Sequence, residues 1–153
     1  MTVLLTSLLI VDDDAGIREM LSTVLTHEGY LVEAVENGKQ AIKACEESLF
    51  DVALIDVELP DMKGTELLMR LKKMQPKMVR IVITGHPSLE SAMRAVNERA
   101  DGYVLKPIEV TELLDKIKKL FTEKTDEYLR ITTEAIRAKE STPTVKYQRP
   151  DRW

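Results

Sequence analysis

The stretch LIDVELPDMKG, residues 54–64, begins apolar, places a carboxylate at Asp56, and then turns through Pro60 to Gly64. Together with the residues before it (DVALI, 51–55) it is apolar on both faces, as a strand is when helices cover a parallel sheet from both sides. A charge at the end of such a strand is costly unless it is paired. What Asp56 does is therefore decided by the residues that the rest of the chain brings to it.

Working outward, short apolar and β-branched runs recur as LLIV (8–11), YLVEAV (30–35), VRIVIT (79–84) and GYVL (102–105). Between them the apolar positions fall at helical spacing: Ile17, Met20, Leu21, Val24 and Leu25; Ala41, Ile42 and Cys45; Leu67, Leu68 and Leu71; Leu89, Ala92, Met93 and Val96. A fifth helical segment opens near Glu109 with Val110, Leu113, Leu114, Ile117, Leu120 and Phe121. Gly29 closes the first helix, Asn37-Gly38 opens the second and Pro76 stops the third. Five strands alternating with five helices predict an α/β fold, a doubly wound parallel sheet over 7–121. After a polar break at Lys124-Thr125, Tyr128, Leu129, Ile131 and Ile136 predict a helical extension of the last helix over 122–140, continuing to about Lys139. Pro143, Pro150 and a scarcity of apolar residues predict a flexible, disordered tail over 141–153.

The chain has 153 residues, 44% apolar and 31% charged, enough for one domain with a real core. A net charge of −4 argues against nucleic acid as a partner. The single cysteine, Cys45, fits a reducing compartment and shares helical spacing with buried positions. The amino terminus, MTVLLTSLLIVDDD, lacks the basic region and cleavage site of a signal peptide, and no apolar run is long enough to span a membrane. A cytoplasmic protein is expected.

Ligands of open parallel sheets bind beyond the carboxyl ends of the strands. Asp12 and Asp13 follow strand 1, Asp56 ends strand 3, Thr84 ends strand 4 and Lys106 follows strand 5. Clustered carboxylates need a cation or protons to coexist, and an all-oxygen set suits Mg2+. With Lys106 and Thr84 available to hold phosphoryl oxygens, Asp56 is placed to attack phosphorus and form an acyl phosphate.

The segments IVDDD, LIDVELPDMKG, IVITG and GYVLKP, in that order, resemble the receiver (CheY-like) domain of two-component response regulators over about 7–121. The resemblance implies a flavodoxin-like sheet, with Asp56 as phosphoacceptor and Asp12, Asp13, Asp56 and the Glu58 backbone carbonyl as ligands of Mg2+. It implies that Thr84 and Lys106 contact the phosphoryl group, and that Tyr103 is an aromatic switch moving inward with Thr84. Glu58 and His86 stand where receivers tune dephosphorylation. The phosphodonor would be a histidine kinase, and the face made by the fourth helix, fifth strand and fifth helix would report to a downstream protein. Such a protein is not a turnover enzyme; it promotes only its own phosphorylation and dephosphorylation. The resemblance, with the need to aim Lys106 at Asp56, also predicts a cis Lys106-Pro107 bond. Arg99 departs from the pattern, standing where the family often has glycine.

Plainer roles fit several residues. Asp14 is expected to cap the first helix and His27 to supply charge at its end, while the methionines fall mostly at core spacing. An aspartate-nucleophile phosphohydrolase of the haloacid dehalogenase type wants Asp where this chain has Glu58, and three aspartates after strand 1 would repel a flavin phosphate. The 32 residues after Phe121 are too few for a winged-helix domain, so output by protein contact is expected, whether the chain stands alone or is a receiver fragment of a larger hybrid sensor or regulator. The extension is expected to serve a homodimer or a partner contact.

Overall fold

The computed structural model describes residues 5–85 and 100–141. In chain order it contains β1 (Ser7–Val11), α1 (Ala15–His27), β2 (Leu31–Val35), α2 (Gly38–Glu47), β3 (Val52–Asp56), α3 (Gly64–Met74), β4 (Val79–Thr84), β5 (Gly102–Leu105) and α4 (Val110–Ser141). The strands form one sheet in the order β2-β1-β3-β4-β5, with every pairing parallel. The winding reverses between β1 and β3, whose carboxyl ends carry Asp12 and Asp56. The predicted fourth helix, with His86 and Arg99, lies outside the described residues, as does the predicted tail from residue 142.

Side chains alternate across a strand, so each strand supplies two core layers. Leu9, Val11, Ala53, Ile55 and Val82 pack with Ala41, Ala44 and Cys45 of α2 and Leu67, Leu68 and Leu71 of α3. On the other face Leu8, Ile10, Leu54, Ile81, Ile83 and Val104 pack with Leu21 and Leu25 of α1 and Leu113 and Ile117 of α4. This double covering is why β1, β3 and β4 are mostly apolar, with Arg80 the one buried cation among them. Asp14 caps α1 by accepting from the Ile17 amide at 3.0 Å, as expected, and Gly29, at φ 95°, ends it where other residues would be strained.

The terminal helix continues as the sequence predicts: Lys124-Thr125 breaks the apolar pattern but not the helix, and α4 runs unbroken to Ser141. Lys124 turns its ammonium inward, donating to the Met78 carbonyl at 2.9 Å and to both Asp101 carboxylate oxygens at 3.2 Å. Asp101 also accepts from the Arg80 amide at 2.8 Å, and the Arg80 side chain is fully buried. One turn on, Tyr128 donates to the Pro76 carbonyl at 3.4 Å, with Lys77 over its ring. Beyond Tyr128 the helix leaves the sheet, and Leu129, Ile131 and Ile136 are 61%, 50% and 53% exposed.

A candidate phosphoacceptor site

The Leu54–Gly64 stretch becomes the end of β3, a tight loop and the first residue of α3. Gly64 donates to the Val57 carbonyl at 3.0 Å, and Glu58 bridges to Lys63, closing the loop at its base. A Cβ on Gly64 would lie 2.7 Å from Val57 Cα and 2.8 Å from the Asp56 carbonyl oxygen, so only glycine lets the chain return this close. The loop thereby presents the Asp56 side chain to the sheet edge rather than folding over it.

Asp12 and Asp56 are buried, and Asp13 is exposed beside them. The three carboxylates offer oxygens that all lie within 4.8 Å of one another. Lys106 Nζ stands 3.4 Å from Asp12 Oδ2 and 3.4 Å from Asp56 Oδ2. The second carboxylate oxygens are held by the backbone: Asp12 Oδ1 accepts from the Asp14 amide at 2.9 Å and Asp56 Oδ1 from the Glu58 amide at 3.1 Å. Arg18 donates to the Asp12 carbonyl at 2.7 Å, tying α1 to the end of β1. A cleft of about 400 Å³ opens over these groups, lined by Asp13, Asp56, Glu58, Pro60, Gly85 and Lys106 among others.

Charge in this cleft is unbalanced. Burial raises the Asp12 carboxyl above its ordinary range and the Asp56 charge adds to this, against the Asp14 amide and Lys106, which lower it. Burial would lower the Lys106 ammonium, but the Asp12 and Asp56 charges outweigh it and raise it. Lys106 meets Asp12 Oδ2 without hydrogen-bond geometry, so this solvent-shielded oxygen keeps its acceptor capacity. A solvent-shielded acceptor between clustered carboxylates is the donor set a hard divalent cation takes, and these residues fit Mg2+.

Of the residues singled out from sequence, Asp12, Asp13, Asp56 and Lys106 are brought together. Thr84 ends β4, buried and paired with Leu105, and its carbonyl accepts from the Lys106 amide at 2.7 Å. Glu58 sits exposed at the lip of the cleft. Tyr103 lies on the edge strand β5, 39% exposed, with Lys116 donating to its carbonyl at 2.7 Å and standing over its ring at 5.5 Å. The Lys106-Pro107 bond is cis, as expected. Sequence reasoning passed over Arg18 and Asp61. Asp61 accepts from the Gly38 and Lys39 amides at 2.9 Å each, 23 and 22 residues away, and both it and Arg18 bond backbone groups that residue identity does not mark.

Comparison with known proteins identifies the family. Residues 8–118 match the family model described as the response regulator receiver domain. The transcriptional regulator NtrC of Proteus hauseri is 36% identical over 113 residues, which are 74% of this chain and 24% of that protein. The uncharacterised transcriptional regulatory protein YkoG of Bacillus subtilis is 35% identical over 72% of this chain and 49% of its own length. The chain thus spans about a quarter to a half of these curated relatives. Among solved structures, a CheY-like receiver domain protein of Methanospirillum hungatei is 41% identical with a TM-score of 0.77, over 80% of this chain and 98% of that one. A Burkholderia pseudomallei response regulator, described with a phosphorylated aspartic acid and a calcium ion, is 28% identical with a TM-score of 0.71, over 80% and 72% of the two chains. The chain belongs to the response regulator receiver domain family of two-component systems.

Proposed function

We propose that the chain is a phosphorylation-activated switch that accepts a phosphoryl group on Asp56 from a histidine kinase, and that residues 7–121 form the receiver while 122–140 extend its last helix. The observation that carries this reading is Lys106 Nζ placed 3.4 Å from both Asp12 and Asp56 beneath an open cleft. Asp12, Asp13, Asp56 and the Glu58 backbone carbonyl would hold Mg2+, which when bound offsets charge on the phosphoryl oxygens. An Asp56 carboxylate oxygen attacks phosphorus; as the O–P bond forms, the P–N bond to the kinase imidazole breaks and the imidazole keeps the electron pair. The Lys106 ammonium is drawn from the carboxylates to the incoming phosphoryl oxygens, and the Thr84 hydroxyl holds another of them. The phosphorylated aspartate and cation described for the Burkholderia relative support this assignment.

The switch would then pass through Thr84 and Tyr103 to the face of β5 and α4, which contacts a downstream protein. Chemistry stops at the chain's own phosphoryl group, with Glu58 and His86 tuning its loss. No helix among the described residues is long and apolar enough to cross a membrane; a cytoplasmic site is supported by the receiver family itself. Incubation with radiolabelled acetyl phosphate should give an alkali-labile, hydroxylamine-sensitive label only when Mg2+ is present. A label that forms equally in EDTA, or that resists hydroxylamine, refutes the acyl phosphate reading.

A further inference from the structure

We propose that Asp61 is a positioning residue: by capping α2 from the β3–α3 loop, it holds the Glu58 carbonyl where Mg2+ is to be bound. The inference rests on the receiver reading above. The first three amides of α2 need acceptors, because no preceding helical turn supplies them. Asn37, the local cap, takes only one of them, the Gln40 amide at 2.9 Å. The Gly38 and Lys39 amides instead donate to Asp61 Oδ1 and Oδ2, across sequence separations of 23 and 22 residues. Burial acts to raise the Asp61 carboxyl, but the two charge-assisted bonds, with the Asp61 amide and the Lys39 charge, together outweigh it and lower it. Met62 packs directly against Gly38, its side chain lying where a Cβ would stand, so any larger residue there would require Met62 to move.

The loop is therefore anchored at both ends of its excursion. Its base is closed by Gly64 on Val57 and by the Glu58–Lys63 bridge. Its tip is fixed to α2 by Asp61 and Met62. Glu58 belongs to the base, through its bridge to Lys63, and its amide donates to Asp56 Oδ1. With the tip released, the segment from Glu58 to Lys63 would be held to α2 no longer, and the Glu58 carbonyl would keep its position relative to the carboxylates less firmly.

Calorimetric titration of the full chain with MgCl2 tests this, alongside amide hydrogen exchange without metal. Asp61→Ala should raise exchange at Leu59, Met62, Gly38 and Lys39. It should weaken Mg2+ by roughly three- to tenfold, less than the 10–100-fold cost of losing a direct outer-shell partner of a metal ligand. Asp61→Asn, which keeps one acceptor, should fall between it and the wild type. Acetyl phosphate labelling should need more Mg2+ in Asp61→Ala yet reach the wild-type rate at saturation. A purely structural cap would lower the melting temperature and leave the Mg2+ affinity unchanged, and that result, with a native circular dichroism spectrum, overturns the proposal. A wild type as silent to Mg2+ as Asp13→Asn overturns the metal reading itself and the proposal with it.

Discussion

Replacing Asp13 by Asn should stabilise the metal-free protein while removing its response to Mg2+. The oxygens of Asp13, Asp12 and Asp56 lie within 4.8 Å of one another, and Asp13 is exposed, so the dielectric of water applies. Two unit charges at that separation in water repel by about 0.9 kcal/mol. Asp13 faces two such neighbours and one compensating ammonium, Lys106, so neutralising it should gain on the order of 1 kcal/mol. For a domain of this size that is about 2–8 °C in melting temperature, measured calorimetrically in EDTA at low salt. The gain should shrink as salt is added, because the screening length falls to about 10 Å at 0.1 M. With Mg2+ at a hundred times its dissociation constant the wild type should gain about 2.7 kcal/mol by mass action, and Asp13→Asn should gain little. The order of stability therefore inverts between EDTA and Mg2+. An Asn variant that melts below the wild type in EDTA, or keeps its full Mg2+ shift, refutes the electrostatic account of the cleft.

Other expectations concern groups within and outside the cleft. Lys124→Met should cost about 1–2 kcal/mol in urea unfolding, because it removes the donor shared by the Met78 carbonyl and Asp101; an unchanged midpoint would show that the α4 anchor is idle. The Asp12 carboxyl is raised above its ordinary 3.8, so the stability it contributes is complete below that pH and is lost as pH rises through its folded value. In EDTA, Asp12→Asn should lack this fall, and identical pH profiles for the two proteins would contradict it. Lys106 is raised above 10.5, so its contribution persists up to that pH and is lost only at higher pH, a loss that Lys106→Met should not show. Burial, with the Glu33 charge, pushes the Cys45 thiol up to about 11, so a disulfide reagent at pH 8 should label it only after denaturation. Rapid labelling of the native protein would show that α2 opens.

The sheet could be read in the sequence because its strands are covered on both faces, which leaves unmistakable apolar runs, and because parallel strands put their carboxyl ends together. That rule alone gathered Asp12, Asp13, Asp56 and Lys106 from three distant segments, and the structure places the carboxylate oxygens within 4.8 Å of one another and Lys106 Nζ 3.4 Å from Asp12 and Asp56. Lys124 shows where local pattern fails. A lysine in a helical apolar seam reads as a polar gap, yet its long stem carries the ammonium to a carbonyl just before β4 and a carboxylate before β5. Only the completed fold supplies those acceptors. Asp61 and Arg18 were missed for the same reason, since their partners, the α2 amides and the Asp12 carbonyl, are backbone groups that leave no trace in residue identity.

The central claim is that Asp56 carries the phosphoryl group. Intact-mass and peptide mass spectrometry after incubation with acetyl phosphate and Mg2+ tests it most directly. The account predicts a single phosphoryl group, mapped by borohydride reduction to Asp56 and absent from Asp56→Asn. Equal labelling of Asp56→Asn, or a phosphoryl group mapped to Asp12 or Asp13, would contradict it.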